Sequence, residues 1–159
     1  MAFVVIGTDH GMQNSERGFE GMLRAGASIR FIEPLVAIAE EYHDKIGSSI
    51  GQRLAAELGV HWYNVDMTTE ERHKAGILEE QLSRPISTDE IAYRVPSDDV
   101  REQAWIEKLI SSGSGTTIVI CGYVHFKPLV RKLRADGHAV DARVYLDCVP
   151  GIRDWPRKA

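Results

Sequence analysis

The stretch from Thr116 to His125, which reads Thr-Thr-Ile-Val-Ile-Cys-Gly-Tyr-Val-His, decides how this chain folds. Its apolar run continues through Cys121 without the alternation of polar and apolar residues that a half-exposed strand has. Strands that are covered on both faces of a parallel sheet have this composition. Gly122 ends the run, and His125 follows three residues later. The stretch therefore predicts a buried strand that leads into a Gly-x-x-His turn.

Four further β-rich runs lie outside this stretch, and helical patterns separate most of them. They are Phe3–Ile6, which we expect Gly7 to stop, Leu35–Ala39, His61–Val65 and Ala139–Leu146. Alternation of strands and helices is typical of βαβ units. We therefore predict an α/β fold with one domain over residues 1–159 and a mostly parallel, doubly wound sheet of about five strands.

The predicted helices have recognisable ends. Ser48 or Ser49 caps a helix that Gly59 closes, and Asp98 or Asp99 caps another. Pro128 suits the first turn of a third helix, which Gly137 closes. A weaker helical pattern covers Ser15–Phe31. Residues 67–97 break the alternation, and we expect an irregular insertion over one edge of the sheet, which is either a lid or a plain loop.

The composition excludes several classes of protein. A formal net charge of −4 over 159 residues disfavours a general nucleic-acid binder. The apolar run at the N-terminus is shorter than we expect for a signal peptide, and no stretch approaches the roughly 20 apolar residues of a membrane span. We therefore expect a cytosolic protein with no membrane partner. Cys121 and Cys148 are too few for a disulfide framework, and we interpret them as buried thiols.

Polar residues follow the predicted strands at the edge where a parallel sheet binds ligands. His10 follows the first strand, Glu40 and Glu41 end the second, Asp66 ends the third and His125 follows the fourth. With 14 Gly and 6 His in the chain, roughly 0.5 Gly-x-x-His pairs are expected by chance. The position of both pairs at strand ends strengthens the signal. The alternative for each histidine is a hydrogen-bonded structural role.

This set of side chains has two chemical interpretations. Two imidazoles and a carboxylate, His10, Glu40 and His125, suit a catalytic divalent metal such as Mn, Co or Zn. A glutamate beside a histidine can instead activate water without a metal. Side chains of neighbouring strand residues point to opposite faces, so one glutamate should face the site. Glu40 is slightly favoured because it continues the strand, and Glu41 stays open.

Arg101 is the next candidate, in the first turn of the helix that begins near Asp98. An arginine at this edge would stabilise an oxyanion or hold a carboxylate or phosphate. The alternative is a surface arginine paired with Asp98 or Glu102. Asp66 and Arg72 are candidates for binding a ligand or cofactor, with the same alternative of a structural ion pair.

These motifs resemble the TraB/Tiki and erythromycin-esterase/ChaN-like group. Gly7-Thr-Asp-His10, the glutamates after Ala39, an Arg-x-x-x-Trp helix at Arg101 and Gly122-Tyr-Val-His125 occur in the order of that group, from about residue 3 to residue 146. The resemblance implies a site built from paired histidines, a glutamate and an arginine. It does not imply one activity, because Tiki-like members are metal-dependent peptidases, esterase-like members use a catalytic histidine and ChaN-like members bind haem.

The leading hypothesis is therefore a small hydrolase that activates water with His10, Glu40 or Glu41 and His125, with or without a divalent metal, while Arg101 stabilises the developing negative charge. Its substrate would be a small molecule or a peptide, and a homo-oligomer is allowed. The alternative is a binding module that holds a small anion or a cofactor at the same site without turning it over. A third hypothesis is an interaction protein that uses residues 67–97 as its contact surface.

Overall fold

The computed structural model describes residues 1–10, 13, 17–28, 33–42, 47–78 and 94–145. In these ranges the elements are β1 (Ala2–Thr8), α1 (Arg17–Ala27), β2 (Leu35–Glu40), α2 (Ile50–Leu58), β3 (His61–Asn64), α3 (Thr69–Lys74), α4 (Pro96–Ser111), β4 (Thr116–Gly122), α5 (Tyr123–Ala135) and β5 (Ala139–Tyr145). The strands form one parallel sheet in the order β3-β2-β4-β1-β5. The structure confirms the predicted α/β class and doubly wound parallel sheet.

Helices cover the sheet on both faces, which explains the continuously apolar central strands. One cluster packs α1 and α2 against one face and includes Phe19, Leu23, Leu54, Ile38 and Ile120. The other packs α4 and α5 against the opposite face and includes Trp105, Leu109, Phe126, Ala39 and Val119. We call these the α1/α2 face and the α4/α5 face. All seven residues of β1 and of β4 are buried.

The predicted end of β1 and the predicted start of α4 were wrong. β1 continues through Gly7 to Thr8, because its register with β4 extends to Gly122. α4 begins at Pro96, which puts Arg101 in its second turn rather than its first. A proline needs no hydrogen-bond acceptor for its nitrogen at a helix start, so Pro96 suits this position.

The helix that contains Pro128 begins at Tyr123, directly after β4, so Pro128 lies inside α5 rather than in its first turn. A proline at this position leaves the carbonyl four residues earlier without its helical donor. That carbonyl belongs to Val124, and it accepts a hydrogen bond from Nη1 of Arg94 at 3.1 Å. The contact from outside the helix replaces the missing bond, which explains how α5 tolerates the proline.

Other predicted ends agree with the structure. Ser49, of the two candidate serines, caps α2, and Gly59 follows that helix with a φ of 67°. The helix predicted over Ser15–Phe31 spans Arg17–Ala27. Cys121 is a buried free thiol. Predictions for Ser15, Phe31, Leu146, Cys148 and residues 79–93 of the insertion lie outside the described residues. In the part of the chain that the structure describes, no helix has the length and apolarity to cross a membrane.

Gly7 tests the packing between β1 and α5. A Cβ atom at Gly7 would lie 2.7–2.9 Å from three side-chain carbons of Phe126, which is itself buried. We expect Gly7→Ala to lower the free energy of unfolding by about 1–3 kcal/mol, because an overpacked core must shift to accommodate the methyl group. Urea titration monitored by circular dichroism measures this change.

Gly21 provides the matched control, since it lies in α1 and a Cβ atom there would meet nothing within 4 Å. Gly21→Ala should raise the free energy of unfolding by about 0.5–1 kcal/mol, because alanine favours the helix over the unfolded chain. Equal effects of the two substitutions would contradict the packing of Phe126 over Gly7.

Candidate functional site

The carboxyl ends of β2, β4 and β1 are neighbours in the sheet, and the helices that follow them diverge. The chain leaves β1 and β2 toward the α1/α2 face, whereas α5 follows β4 on the α4/α5 face. A crevice between such strands is the usual ligand site of open α/β sheets. His10 lies just beyond β1, Glu41 just beyond β2 and His125 in the first turn of α5.

Glu40 and Glu41 point to opposite faces of the sheet. Ile38 packs in the α1/α2 cluster and Ala39 in the α4/α5 cluster, so strand alternation directs Glu40 to the first face and Glu41 to the second. The backbone N–H of Glu41 donates to the carbonyl of Ile120 at 2.8 Å, which keeps this alternation beyond the end of β2. The structure therefore brings Glu41, rather than the slightly favoured Glu40, against His125 and Arg101.

The carboxylate of Glu41 is the centre of the site. Its Oε2 accepts the backbone N–H of Gly122 at 2.8 Å and lies 3.6 Å from Nε2 of His10. Its Oε1 accepts from Nη2 of Arg101 at 2.8 Å and lies 3.7 Å from Nε2 of His125. A Cβ atom at Gly122 would lie 3.1 Å from His10 Nε2 and 3.2 Å from Glu41 Oε2, so a glycine allows this close approach.

Glu41 carries its negative charge far below neutral pH. Burial acts to raise the pKa of its carboxyl, but electrostatic interactions with the groups that face it and the hydrogen bond from the Gly122 N–H lower that pKa to about 2. The facing groups are His10, His125 and Arg101. The carboxylate is thus a poor proton acceptor at neutral pH and a strong electrostatic partner for a protonated imidazole.

Arg101 joins two carboxylates and an imidazole that come from different parts of the chain. It donates from Nε and Nη2 to the two oxygens of Asp66 at 3.1 and 2.9 Å, from Nη2 to Glu41, and from Nη1 to Nε2 of His125 at 3.3 Å. Burial acts to lower its pKa, but the charges of Glu41 and Asp66 raise that pKa above the ordinary value. These bonds use all three nitrogens of the guanidinium, and the side chain is 4% exposed. Arg101 therefore has a structural role in holding these side chains in place.

His125 has its two ring nitrogens on different partners. Nδ1 lies 2.9 Å from Oε1 of Glu102, and Nε2 faces Arg101 and Glu41. Glu102 also accepts from Nη1 of Arg94 at 2.5 Å and from Nζ of Lys132 at 2.8 Å. Burial acts to raise the pKa of Glu102, but these three hydrogen bonds lower it to about 2. The ionised Glu102 orients the imidazole.

His10 forms the solvent side of the site, since 31% of its side chain is exposed whereas 3% of that of Glu41 is. Its Nδ1 lies 2.8 Å from Oε1 of Gln13. Gln13 is buried and donates from Nε2 to Oε1 of Glu40 at 2.9 Å and to the backbone carbonyl of Glu41 at 3.1 Å. Glu40 therefore contacts His10 through Gln13 and does not touch the other histidine of the site.

Asp98 is a site residue that the sequence analysis considered only as a cap or an ion-pair partner. It is fully buried, and its Oδ2 accepts the backbone N–H of Val95 at 2.9 Å. Its Oδ1 lies 3.7 Å from Nη1 of Arg101 and 3.9 Å from Nε2 of His125, and no hydrogen bond to it occurs among the described residues. This oxygen adds negative charge beside His125.

The structure does not bring together His10, Glu40 and His125, the three side chains predicted to bind a divalent metal. Glu40 bonds to Ser49, Trp62 and Gln13 behind the site, and the cationic Arg101 approaches Nε2 of His125. A divalent ion at that nitrogen would lie against a positive charge. Within the described ranges, no group of three or more His, Cys, Asp and Glu side chains could hold a metal ion.

Asp66 and Arg72, the candidates for cofactor binding, contact neighbouring parts of the chain. Asp66 is buried between Arg101 and the indole N–H of Trp105, which donates to its Oδ1 at 2.9 Å. Arg72 donates from Nη1 to the carbonyl of Met67 at 2.6 Å. In these contacts Asp66 is the counterion of Arg101, and Arg72 supports the loop after β3.

Sequence reasoning gave Asp98 and Glu102 only structural roles, although a signal was present. Asp98, Arg101, Glu102 and Trp105 recur at spacings of three and four residues, which places them on one face of a helix with the apolar Leu109. Charged residues in line with a buried stripe indicate a buried ionic cluster. Gln13 carried no comparable signal, because its position depends on the turn after β1.

Nothing matches this chain in comparisons with protein-family models, with curated proteins and with solved structures.

Arg101 is expected to be the most costly charge to remove. Arg101→Leu takes from buried Glu41 its bonded cation and from buried Asp66 two hydrogen bonds, so we expect the free energy of unfolding to fall by about 3–5 kcal/mol. Arg101→Lys should recover part of this loss, because it keeps the charge but not the two-pronged contact. Chemical denaturation of the purified variants measures both effects.

Arg24 is the control for this experiment, because it forms an ion pair with Glu57 at 2.8 Å on the exposed surface. Arg24→Leu should change stability much less than Arg101→Leu, since exposed ion pairs contribute little. A similar loss in both variants would mean that the buried cluster is not the constraint we describe.

The low pKa values of Glu41 and Glu102 predict acid sensitivity. Both carboxyls have a pKa of about 2 in the folded chain, below the ordinary value of 4.5. The unfolded chain therefore binds more protons between these values, and the stability that the carboxylates contribute is lost as pH falls from about 5 to 2. Urea midpoints measured across this range should decline, and those of Glu102→Gln should decline less steeply. Parallel curves for the two proteins would contradict the assignment.

Proposed function

We propose that this chain is a hydrolase in which His10 activates water beside the ionised carboxylate of Glu41. The observation that carries the proposal is the pairing of a half-exposed imidazole with a buried carboxylate across 3.6 Å. A carboxylate next to a histidine stabilises the imidazolium that forms when the ring accepts a proton. Of the TraB/Tiki and erythromycin-esterase/ChaN-like group that the motifs resemble, the esterase-like members use a catalytic histidine, which agrees with this proposal.

The proposed step uses the chain's own residues. A water molecule in contact with both His10 Nε2 and Glu41 Oε2 gives its proton to the imidazole as its oxygen attacks the substrate's carbonyl carbon. The His10 imidazolium then returns this proton to the leaving group as the bond to that group breaks. The first-turn N–H groups of α5, which the N-cap Gly122 does not satisfy with a side chain, favour negative charge at this edge.

Arg101 takes a different role in this proposal from the one that its position in the sequence suggested. Its hydrogen bonds to Asp66, Glu41 and His125 support a role in positioning Glu41 rather than in direct contact with substrate. The same contacts weigh against the anion-binding alternative, which needs Arg101 to be available to a ligand. Water activation is therefore the function that we put forward.

The substrate class follows from this chemistry only in outline. We propose a small molecule or a short peptide with an ester or amide bond, because His10 is the half-exposed end of an otherwise buried site. We also propose a cytosolic location. Hydrolysis of a panel of esters, peptides and phosphodiesters, with and without a chelator, tests the substrate class and any metal requirement, and cell fractionation tests the location.

His10→Asn should lower kcat/KM on any substrate found in that panel by about 10²–10⁴-fold, because general-base catalysis contributes a factor of this size. His10 is half-exposed, so the variant should remain folded. Steady-state kinetics together with circular dichroism check both expectations.

His73→Asn is the matched control, since His73 lies on the exposed surface of α3. It should keep the activity of the unmodified protein. Full activity of a folded His10→Asn protein would rule out the proposed role of His10.

A further inference from the structure

We infer that Glu40 and Gln13 form a lock that fixes which nitrogen of His10 carries the proton. The inference rests on the proposed function for its catalytic meaning, but the lock itself is a property of hydrogen bonds on the α1/α2 side of the site. It gives a role to Glu40, whose carboxyl is fully buried and makes no contact with His125 or Arg101 in the hydrogen bonds described above.

The orientation of the Gln13 amide follows from its neighbours. Its Nε2 lies 3.1 Å from the backbone carbonyl of Glu41, and a carbonyl oxygen can only accept a hydrogen bond. The same Nε2 lies 2.9 Å from Oε1 of Glu40. The NH2 group must therefore point at these two oxygens, and Oε1 of Gln13 must point at His10.

The tautomer of His10 follows from that orientation. Oε1 of Gln13 is an acceptor, and it lies 2.8 Å from Nδ1 of His10. Nδ1 therefore carries a hydrogen in the neutral ring, and Nε2 keeps its lone pair. Nε2 is the atom that faces Glu41 Oε2, so the lock leaves the proton-accepting atom at the position where the proposed water binds.

Glu40 in turn is held so that it can orient Gln13. Its Oε2 accepts from Oγ of Ser49 at 2.5 Å and from the indole N–H of Trp62 at 2.9 Å, which directs Oε1 toward Gln13. Burial raises the pKa of this carboxyl, and the hydrogen bonds from Ser49, Trp62 and Gln13 act in the opposite direction. Glu40 is thus a positioning residue that acts through Gln13, and not a catalytic one.

Glu40→Gln is the sharpest variant for this lock. The indole N–H of Trp62 can only donate, so the introduced amide must turn its oxygen toward Trp62 and its NH2 group toward Gln13. Two NH2 groups then face each other unless the Gln13 amide rotates, and rotation would present a donor to His10 Nδ1. We expect the Nδ1–H form of neutral His10 to lose population to the Nε2–H form, with a loss in kcat/KM of about 10²-fold or more.

Two-bond ¹H–¹⁵N correlation spectra of the histidine rings read the tautomer directly, and the spectrum of His10→Asn identifies the His10 signals. Gln13→Met is the second variant. It removes the hydrogen-bonding amide at similar length, so it should release the ring to a mixture of tautomers. Gln103→Met is the matched control for Gln13→Met, because Gln103 is an exposed glutamine of α4 that lies outside the lock. It should keep the Nδ1–H form.

The outcomes separate the lock from the proposed function. Nε2–H in the unmodified protein, or an unchanged Nδ1–H form in folded Glu40→Gln and Gln13→Met proteins, would overturn the lock. The expected tautomer changes in a protein that hydrolyses nothing in the substrate panel would support the lock and overturn the hydrolase. Tautomer changes that accompany loss of activity support both.

Discussion

The contact between Arg101 and Glu41 is the constraint on which the rest of the site depends. Glu41 lies just beyond β2, Asp66 follows β3 and Arg101 belongs to α4, and all three charged groups are buried. A buried carboxylate without a counterion is strongly unfavourable, so these elements must approach in one arrangement for the charges to be compensated. The apolar clusters supply the driving force for packing, and the ionic contacts fix the position of α4 over the edge of the sheet.

The same compensation divides the site into an inner and an outer part. The inner part consists of Arg101, Asp66 and Glu102, which are hydrogen-bonded to other side chains of the site. The outer part is His10, whose side chain is partly exposed to solvent. Groups that are already oriented need not reorganise when charge develops on the imidazole, which is the main electrostatic advantage of a preformed site. The pre-oriented inner groups are therefore placed to stabilise a charge that develops on the solvent-facing imidazole of His10.

The sequence predicted the parts of the fold that depend on local composition. The runs Phe3–Ile6 and Thr116–Cys121 identified buried parallel strands, and Ser49 was one of two candidate caps. It could not decide between Glu40 and Glu41, because that choice needs the faces on which α2 and α4 pack, and these depend on strand order. It also put the start of α5 too late, since the bond from Arg94 that compensates for Pro128 comes from a distant part of the chain.

Glu40 and Glu41 were both reasonable candidates for the site, because each has a separate set of contacts there. Strand alternation sends neighbouring side chains to opposite faces, so two acids at one strand end cannot share one set of contacts. Glu41 accepts a hydrogen bond from the cation Arg101 on the α4/α5 face, whereas Glu40 accepts from neutral donors of Ser49, Trp62 and Gln13. Charge at Glu41 and orientation through Glu40 are therefore separate tasks, and both converge on His10 from either side of β2.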